Sequence, residues 1–187
     1  MNNEVKGVNI ILADPPWKYT RGDMHDGSRS TDHYPSMSLD ELKSMKDWVQ
    51  STLGDKCLLY MWTTAPKMDN AVELGKAWGF TYSTVAFVWD KMRTLAGNYT
   101  ITECEFVLVF KHKKKRTPKR AKTNAKQFFQ QKPREHSRKP DYVKEMIEQM
   151  YPDAVKLELF ARETRDGWMQ YGNEVNKFDD KQEVYDE

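Results

Sequence analysis

The stretch Val8-Asn9-Ile10-Ile11-Leu12-Ala13-Asp14-Pro15-Pro16-Trp17 sets the reading of the fold. Its first six residues are an apolar run of strand length. Pro15 and Pro16 stop it, so the run reads as a buried strand ending in an acidic, proline-fixed turn. A long polar loop follows, roughly Lys18 to Met37. Ser38-Leu39-Asp40-Glu41 has capping-box spacing and predicts a helix to about Ser51, with Leu39, Leu42 and Met45 on its apolar face. Lys56–Trp62 is the next strand, Lys67–Trp78 a helix ended by Gly79, and Tyr82–Trp89 and Glu103–Phe110 two further β-rich runs. A helix is expected from Pro140 to about Met150, then a central strand Lys156–Phe160 and a short strand before Asn173. Strands alternating with helices imply an α/β fold: a mostly parallel sheet with helices on both faces.

At 187 residues the chain is long enough for one core and short for two. The expectation is a single domain over 1–176, with a basic loop at about 111–137 and an acidic tail at 177–187. No apolar run reaches the ~20 residues of a membrane span. The start lacks the pattern of a signal peptide. Cys57 and Cys104 lie inside strand-like runs without paired spacing, which argues against a disulfide framework and points to a reducing cytoplasm. His25, His33, His112 and His136 do not share metal-ligand spacing, so no metal is expected.

In open α/β sheets ligands bind beyond the carboxyl ends of the strands. The residues that follow the expected strands are Asp14-Pro15-Pro16-Trp17, Thr63-Thr64, Asp90-Lys91, the basic loop and Ala161-Arg162. Two prolines remove two backbone donors. The turn then presents the Asp14 carboxylate and the Pro15 carbonyl as acceptors beside an aromatic plane. An exocyclic NH2 on a flat heterocycle needs two acceptors and a stacking partner. Bonding both protons draws the nitrogen toward tetrahedral geometry and frees its lone pair. Lys139, at a helix start, is disfavoured by the helix dipole and wants an anion. Glu158 alternates with Leu157 and Leu159 in a buried strand and requires a partner, for which Arg162 or a ribose hydroxyl would serve. Asn173-Glu174 offers donors and acceptors suited to hydroxyls.

ILADPPW (residues 11–17) resembles the catalytic motif of the DPPW-type N6-adenine methyltransferases. That family includes the catalytic subunit of the messenger-RNA m6A writer and many bacterial and phage DNA enzymes. HYPSMSLDEL (33–42), EHSRKPDYVKEMIEQMYPDAVKLELFAR (135–162) and GWMQYGNEV (167–175) resemble three further family segments, in family order. The resemblance implies an S-adenosyl-L-methionine-dependent enzyme with a Rossmann-like fold whose catalytic motif precedes the cofactor strand. No GxGxxG occurs, which speaks against an ordinary dinucleotide enzyme. It implies that Asp14 and Pro15, with Pro16, hold the target amine, that Asp14 also borders the cofactor, and that Trp17 lines the base pocket. Tyr34 would contact the base and Glu105 would face the adenosine. Lys139 would meet the cofactor's carboxylate, while Glu158, Arg162, Asn173 and Glu174 would bind or frame its ribose and adenine. Larger members carry an upstream acidic motif; the sequence starts a few residues before DPPW, so that contact is expected to be missing.

Between Lys111 and Lys139 stand 13 Lys+Arg and one acid, Glu135, a net +12; the remainder carries 17 bases against 27 acids, a net −10. The core of this segment, KHKKKRTPKRAK, has no apolar periodicity and reads as a mobile loop. Lys113, Lys114, Lys115 and Arg116 suit phosphate contact, and Phe128-Phe129 suits stacking or wedging beside a flipped base. The expected substrate is nucleic acid, DNA ahead of RNA, with sequence choice supplied by loops, a homodimer or a partner subunit. Two rivals remain in view: a catalytically silent nucleic-acid-binding subunit, and a cytosine-N4 methyltransferase.

Overall fold

A computed structural model describes residues 5–19, 35–95, 99–121, 123–134 and 138–179. The expected base contact Tyr34, most of the loop after Trp17 and the chain beyond residue 179 lie outside them. The described elements are β1 (Val8–Ala13), α1 (Leu39–Ser44), α2 (Lys46–Thr52), β2 (Leu53–Thr64), a short 3-10 turn, α3 (Met68–Ala77), β3 (Phe80–Leu95), β4 (Thr102–His112), β5 (Phe128–Gln130), α4 (Tyr142–Met150), β6 (Lys156–Leu159) and β7 (Trp168–Tyr171).

The strands form one seven-stranded sheet in the order β5-β3-β4-β2-β1-β6-β7. β1 pairs in parallel with β2 and β6, and β7 with β6. β4 runs antiparallel to both of its neighbours, β2 and β3, while β5 is parallel to β3. Six strands therefore point one way and β4 points the other. Period-two alternation divides the core. Ile11, Ala13, Leu59, Met61, Leu157 and Leu159 pack under α1, α2 and α3, against Leu42, Val49, Leu74 and Trp78. Ile10, Leu12, Leu58, Tyr60 and Trp62 face α4, through Val143, Ile147 and Met150. Helices thus cover both faces.

Three elements differ from the sequence expectation. The helix expected to run to about Ser51 is two helices joined at Met45, whose N–H turns back to the Leu42 carbonyl at 3.3 Å. Its start is as expected: Ser38 Oγ accepts from Glu41 N–H, and the Glu41 carboxylate accepts from Ser38 N–H at 2.7 Å. β5 falls within the segment read as loop, because three residues are too few to show periodicity. Residues 177–179, expected in the acidic tail, are held against the rest of the fold. Phe178 is buried between the Arg138 and Arg162 guanidinium groups, and Asp179 accepts from the Thr164 N–H at 2.7 Å.

Candidate active site

The carboxyl ends of β1, β2, β6 and β7 share one edge of the sheet. Asp14 leaves β1 there, its N–H donating to the Leu159 carbonyl at 3.2 Å, which ties the ends of β1 and β6 together. Between these ends opens a cavity of about 280 Å³, lined by Asp14 and Lys139 on one side, Arg162, Asn173 and Glu174 on another, and Phe160 and Met37 among its apolar walls. That is near the lower end of the roughly 300–1,000 Å³ usual for small-molecule sites. Two backbone features shape it. Phe160 has a φ of 64°, a strained value for a non-glycine residue. Gly172 lies so close to the preceding loop that a Cβ there would meet the Ala161 carbonyl oxygen at 2.5 Å.

Beside the cavity runs a row of alternating charges. Lys139 Nζ is 3.1 Å from Asp14 and 3.4 Å from Glu105, and Lys91 Nζ is 3.2 Å from the other Glu105 oxygen. Glu105 belongs to this edge because β4 is reversed: it lies near the start of β4, opposite Thr64 at the end of β2. Burial raises the Asp14 carboxyl above its ordinary value; Lys139 pulls it back and Glu105 pushes it further up. Glu105 goes the other way. Burial pushes it up, but Lys139 and Lys91 outweigh burial and hold it below the usual carboxylate value. The two acids of the row are thus shifted in opposite directions, Asp14 toward holding a proton and Glu105 away from it.

Of the expected site residues, the structure brings Asp14, Pro16, Lys139, Arg162, Asn173 and Glu174 to the cavity. Glu105 joins them through Lys139. Several others are placed differently. The Pro15 carbonyl is not left over for a ligand by the proline pair, since it accepts the Trp17 N–H at 2.8 Å; the Pro16 carbonyl accepts Met37 N–H at 2.8 Å. One lone pair on each oxygen remains. Trp17 is 6% exposed and packs in the core under α1–α3, away from the cavity lining. Glu158 faces α4, where the Lys144 ammonium is 3.0 Å away, and Arg162 turns instead to Glu174 at 3.0 Å. Phe129 is buried against the Tyr142 ring at 4.3 Å, which leaves only Phe128 exposed for stacking.

The largest displacement concerns Lys113, Lys114, Lys115 and Arg116. They follow β4, whose reversed direction carries them to the far edge of the sheet. Arg116 bridges Lys56, at the start of β2, whereas Thr64 at its end faces Glu105. Eight residues at ~3.3 Å each separate the two by about 26 Å. The segment is irregular, as expected, but it is pinned. His112 Nδ1 accepts from both Lys114 and Lys115 N–H at 3.1 Å, and the Arg116 backbone bonds to Asp55 and Cys57.

Sequence reasoning missed Lys144 and Glu163; it placed Lys91 at the end of a strand but gave it no partner. Lys144 and Arg138 both meet Glu163, at 2.9 and 3.0 Å, forming a four-membered ionic cluster with Glu158 under the cavity floor. Lys144 carried a signal, a lysine on the apolar face of an amphipathic helix, one residue from Val143 and three from Ile147.

A pocket at the carboxyl edge of the sheet between β1, β6 and β7, with an acid-proline turn at its rim, is a small-molecule site where open α/β sheets carry one. Comparison with known proteins gives the class, a Rossmann-like methyltransferase. The chain is 41% identical over 186 residues to the type II methyltransferase M.MunI of Mycoplasma sp, covering 91% of this chain and 78% of that protein. It is 29% identical over 177 residues to the putative N(6)-adenosine-methyltransferase MT-A70-like of Medicago truncatula, covering 89% of this chain and 26% of that protein. It is 27% identical over 195 residues to the N(6)-adenine-specific methyltransferase METTL4 of Mus musculus, covering 92% of this chain and 38% of that protein. The MT-A70 family matches residues 8–174. The chain belongs to the MT-A70 family.

Proposed function

We propose that the protein transfers a methyl group from S-adenosylmethionine to the N6 amine of adenine in nucleic acid, DNA ahead of RNA. The observation that carries this reading is the placement of Asp14: a half-buried carboxylate with a raised proton affinity, at the rim of a small-molecule cavity. The names of several relatives supply adenine as the base, and DNA is placed ahead of RNA because M.MunI, 78% of whose length this chain covers, is named a type II methyltransferase.

The cavity suits the methyl donor. The Asn173 amide, the Glu174 carboxylate and the Arg162 guanidinium offer the donor and acceptor set that ribose hydroxyls need, and Phe160 and Met37 supply apolar wall. Gly172 lets two lining loops approach as no larger residue would. S-adenosylmethionine, when bound, supplies a sulfonium-activated methyl group.

Asp14 accepts one N–H of the target amine, and the free lone pair of a DPPW carbonyl accepts the other. The two bonds localise the nitrogen lone pair. As the N–C bond forms and the donor's S–CH3 bond breaks, its electron pair staying on sulfur as the neutral thioether that leaves, the nitrogen becomes cationic and gives up a proton, which Asp14 would take more readily than an ordinary carboxylate. When Asp14 is neutralised, Lys139 keeps the ionised Glu105 as its partner, so no lone buried cation is created. Lys139 serves here as the holder of Asp14. A reach to the cofactor's carboxylate would have to compete with the two acids it already meets.

The reading is tested by incubating the protein with S-adenosylmethionine and mixed-sequence DNA and RNA, digesting to nucleosides and identifying the methylated base by mass spectrometry. N6-methyladenine supports it. N4-methylcytosine as the sole product would replace it with the cytosine reading, and no product on any nucleic acid would leave the silent-subunit reading.

A further inference from the structure

The basic segment is not a loop at one place on the surface. It starts at the far edge of the sheet, where Arg116 bridges Lys56. It then climbs along α4: the Ala121 N–H bonds to the Met150 carbonyl, at the end of α4, and the Lys126 backbone bonds twice to the Tyr142 hydroxyl, at its start. It finishes as β5, paired with Val88–Asp90 near the edge that carries Asp14 and Glu105. Buried Pro118 and Phe129 pin it along the way. Lys113, Lys114, Arg116, Lys119, Arg120 and Lys126 are all exposed on it.

The pairing of charges sets this segment apart. At the pocket edge Lys91, Arg138, Lys139, Lys144 and Arg162 each sit within 4.0 Å of a carboxylate. Among the described residues, no cation from Lys111 to Lys126 forms an ion pair. Asp55 and Asp153 line a groove with Arg116 and Lys119, and neither forms one with them. The segment carries these unpaired cations on a fixed backbone from the level of Lys56 toward that of Thr63, which lies level with Phe106, Val88 and Phe128; seven strand residues at ~3.3 Å each give a span of about 23 Å, or about 7 base pairs at ~3.4 Å each.

We infer that this segment is a track for the sugar-phosphate backbone of the nucleic acid that flanks the target base, leading from the pocket edge along α4 to the far edge of the sheet. This rests on the proposed nucleic-acid substrate. It differs from a loop that holds the opened strand, because most of the cations lie too far from Asp14 to touch the target nucleotide. Affinity contributed by the track must therefore depend on substrate length, while the chemistry at Asp14 must not depend on the track.

The test uses the full chain and the quadruple variant Lys113→Gln, Lys114→Gln, Lys119→Gln and Arg120→Gln, all exposed positions, with an unchanged melting temperature as the check on folding. If that variant melts lower, the pair Lys119→Gln and Arg120→Gln takes its place. Binding is measured by fluorescence anisotropy on adenine-containing DNA duplexes of about 6 and about 30 base pairs, between about 50 and about 200 mM salt. On the long duplex the quadruple variant should lose tenfold or more in affinity, and the slope of log affinity against log salt should flatten by about 3.6, close to one per phosphate contact removed (the pair by about 2). On the short duplex affinity should hardly change. Equal losses on both lengths, or no loss on either, would overturn the track. Methyl transfer is scored separately. A length-dependent loss without any methylated adenine would leave the track standing and remove the proposed function.

Discussion

Lys144→Met removes the cation at the centre of the buried cluster under the cavity. The Lys144 side chain is 6% exposed, and its ammonium meets Glu158 at 3.0 Å and Glu163 at 2.9 Å. Glu163 keeps Arg138 at 3.0 Å after the substitution. Glu158 keeps no ion-pair partner among the described residues, and burial already raises its proton affinity, against the pull of Lys144. Removing one member of such a pair typically costs about 3–5 kcal/mol, since the other charge is left uncompensated. With a urea m-value of about 2 kcal/mol/M, the midpoint should fall by about 1.5–2.5 M near neutral pH. The pH dependence supplies the stricter check. In the variant Glu158 has a folded pKa well above its unfolded one, so the native state binds more protons and stability falls as pH rises through that window. The midpoint deficit relative to wild type should therefore shrink on acidification toward about pH 5, and Lys144→Met combined with Glu158→Gln should recover most of the loss at neutral pH. Urea titrations at two pH values decide it. A midpoint loss under about 0.5 M that is the same at both pH values would refute the uncompensated-charge argument.

Two further outcomes follow from the site. Gly172→Ala places a Cβ 2.5 Å from the Ala161 carbonyl oxygen, and relieving that overlap at a typical ~1–3 kcal/mol should push the lining loops apart; calorimetry should show S-adenosylmethionine binding weakened by about tenfold or more, and wild-type affinity would mean the two loops do not jointly shape the site. Because burial raises Asp14, the acid limb of kcat/KM should lie above the ordinary Asp value of about 3.9, with activity lost as pH falls through the raised value and retained above it. A pH–rate profile flat down to about pH 4 would take Asp14 out of the proton path.

How much of this was legible in the sequence depended on whether the signal was local. β1 with its acid-proline stop, the Ser38–Glu41 cap and the bounds of α3 rest on neighbours in the chain, and the structure reproduces them. Strand direction is not local. Alternating strands and helices suggested that every strand ends at the site edge, and the basic segment was assigned there because it follows β4. β3 and β4 are only six residues apart, too few for a crossover, and they pair antiparallel, so β4 is reversed. Its start, carrying Glu105, reaches the site, and its end does not. Partners of buried charges are likewise set by packing. Glu158 has Arg162 four residues away in sequence, but alternation along β6 turns it toward α4, where Lys144 waits. Trp17 stands in the motif beside Asp14, but beyond the proline turn its ring packs into the core under α1–α3.

The central claim is that Asp14 is the acceptor that prepares the amine and receives its proton. Asp14→Asn keeps the shape and replaces a charged acceptor with a neutral amide. Loss of one such group typically costs about 10²–10³ in rate. The deciding measurement is single-turnover methyl transfer to adenine-containing DNA, paired with S-adenosylmethionine affinity for the same protein. The account expects transfer slowed by about 10²–10³ with affinity changed little, because Asn173, Glu174 and Arg162 still line the cavity. Wild-type transfer would contradict it, and loss of affinity with the chemical step intact would make Asp14 a holder of the cofactor.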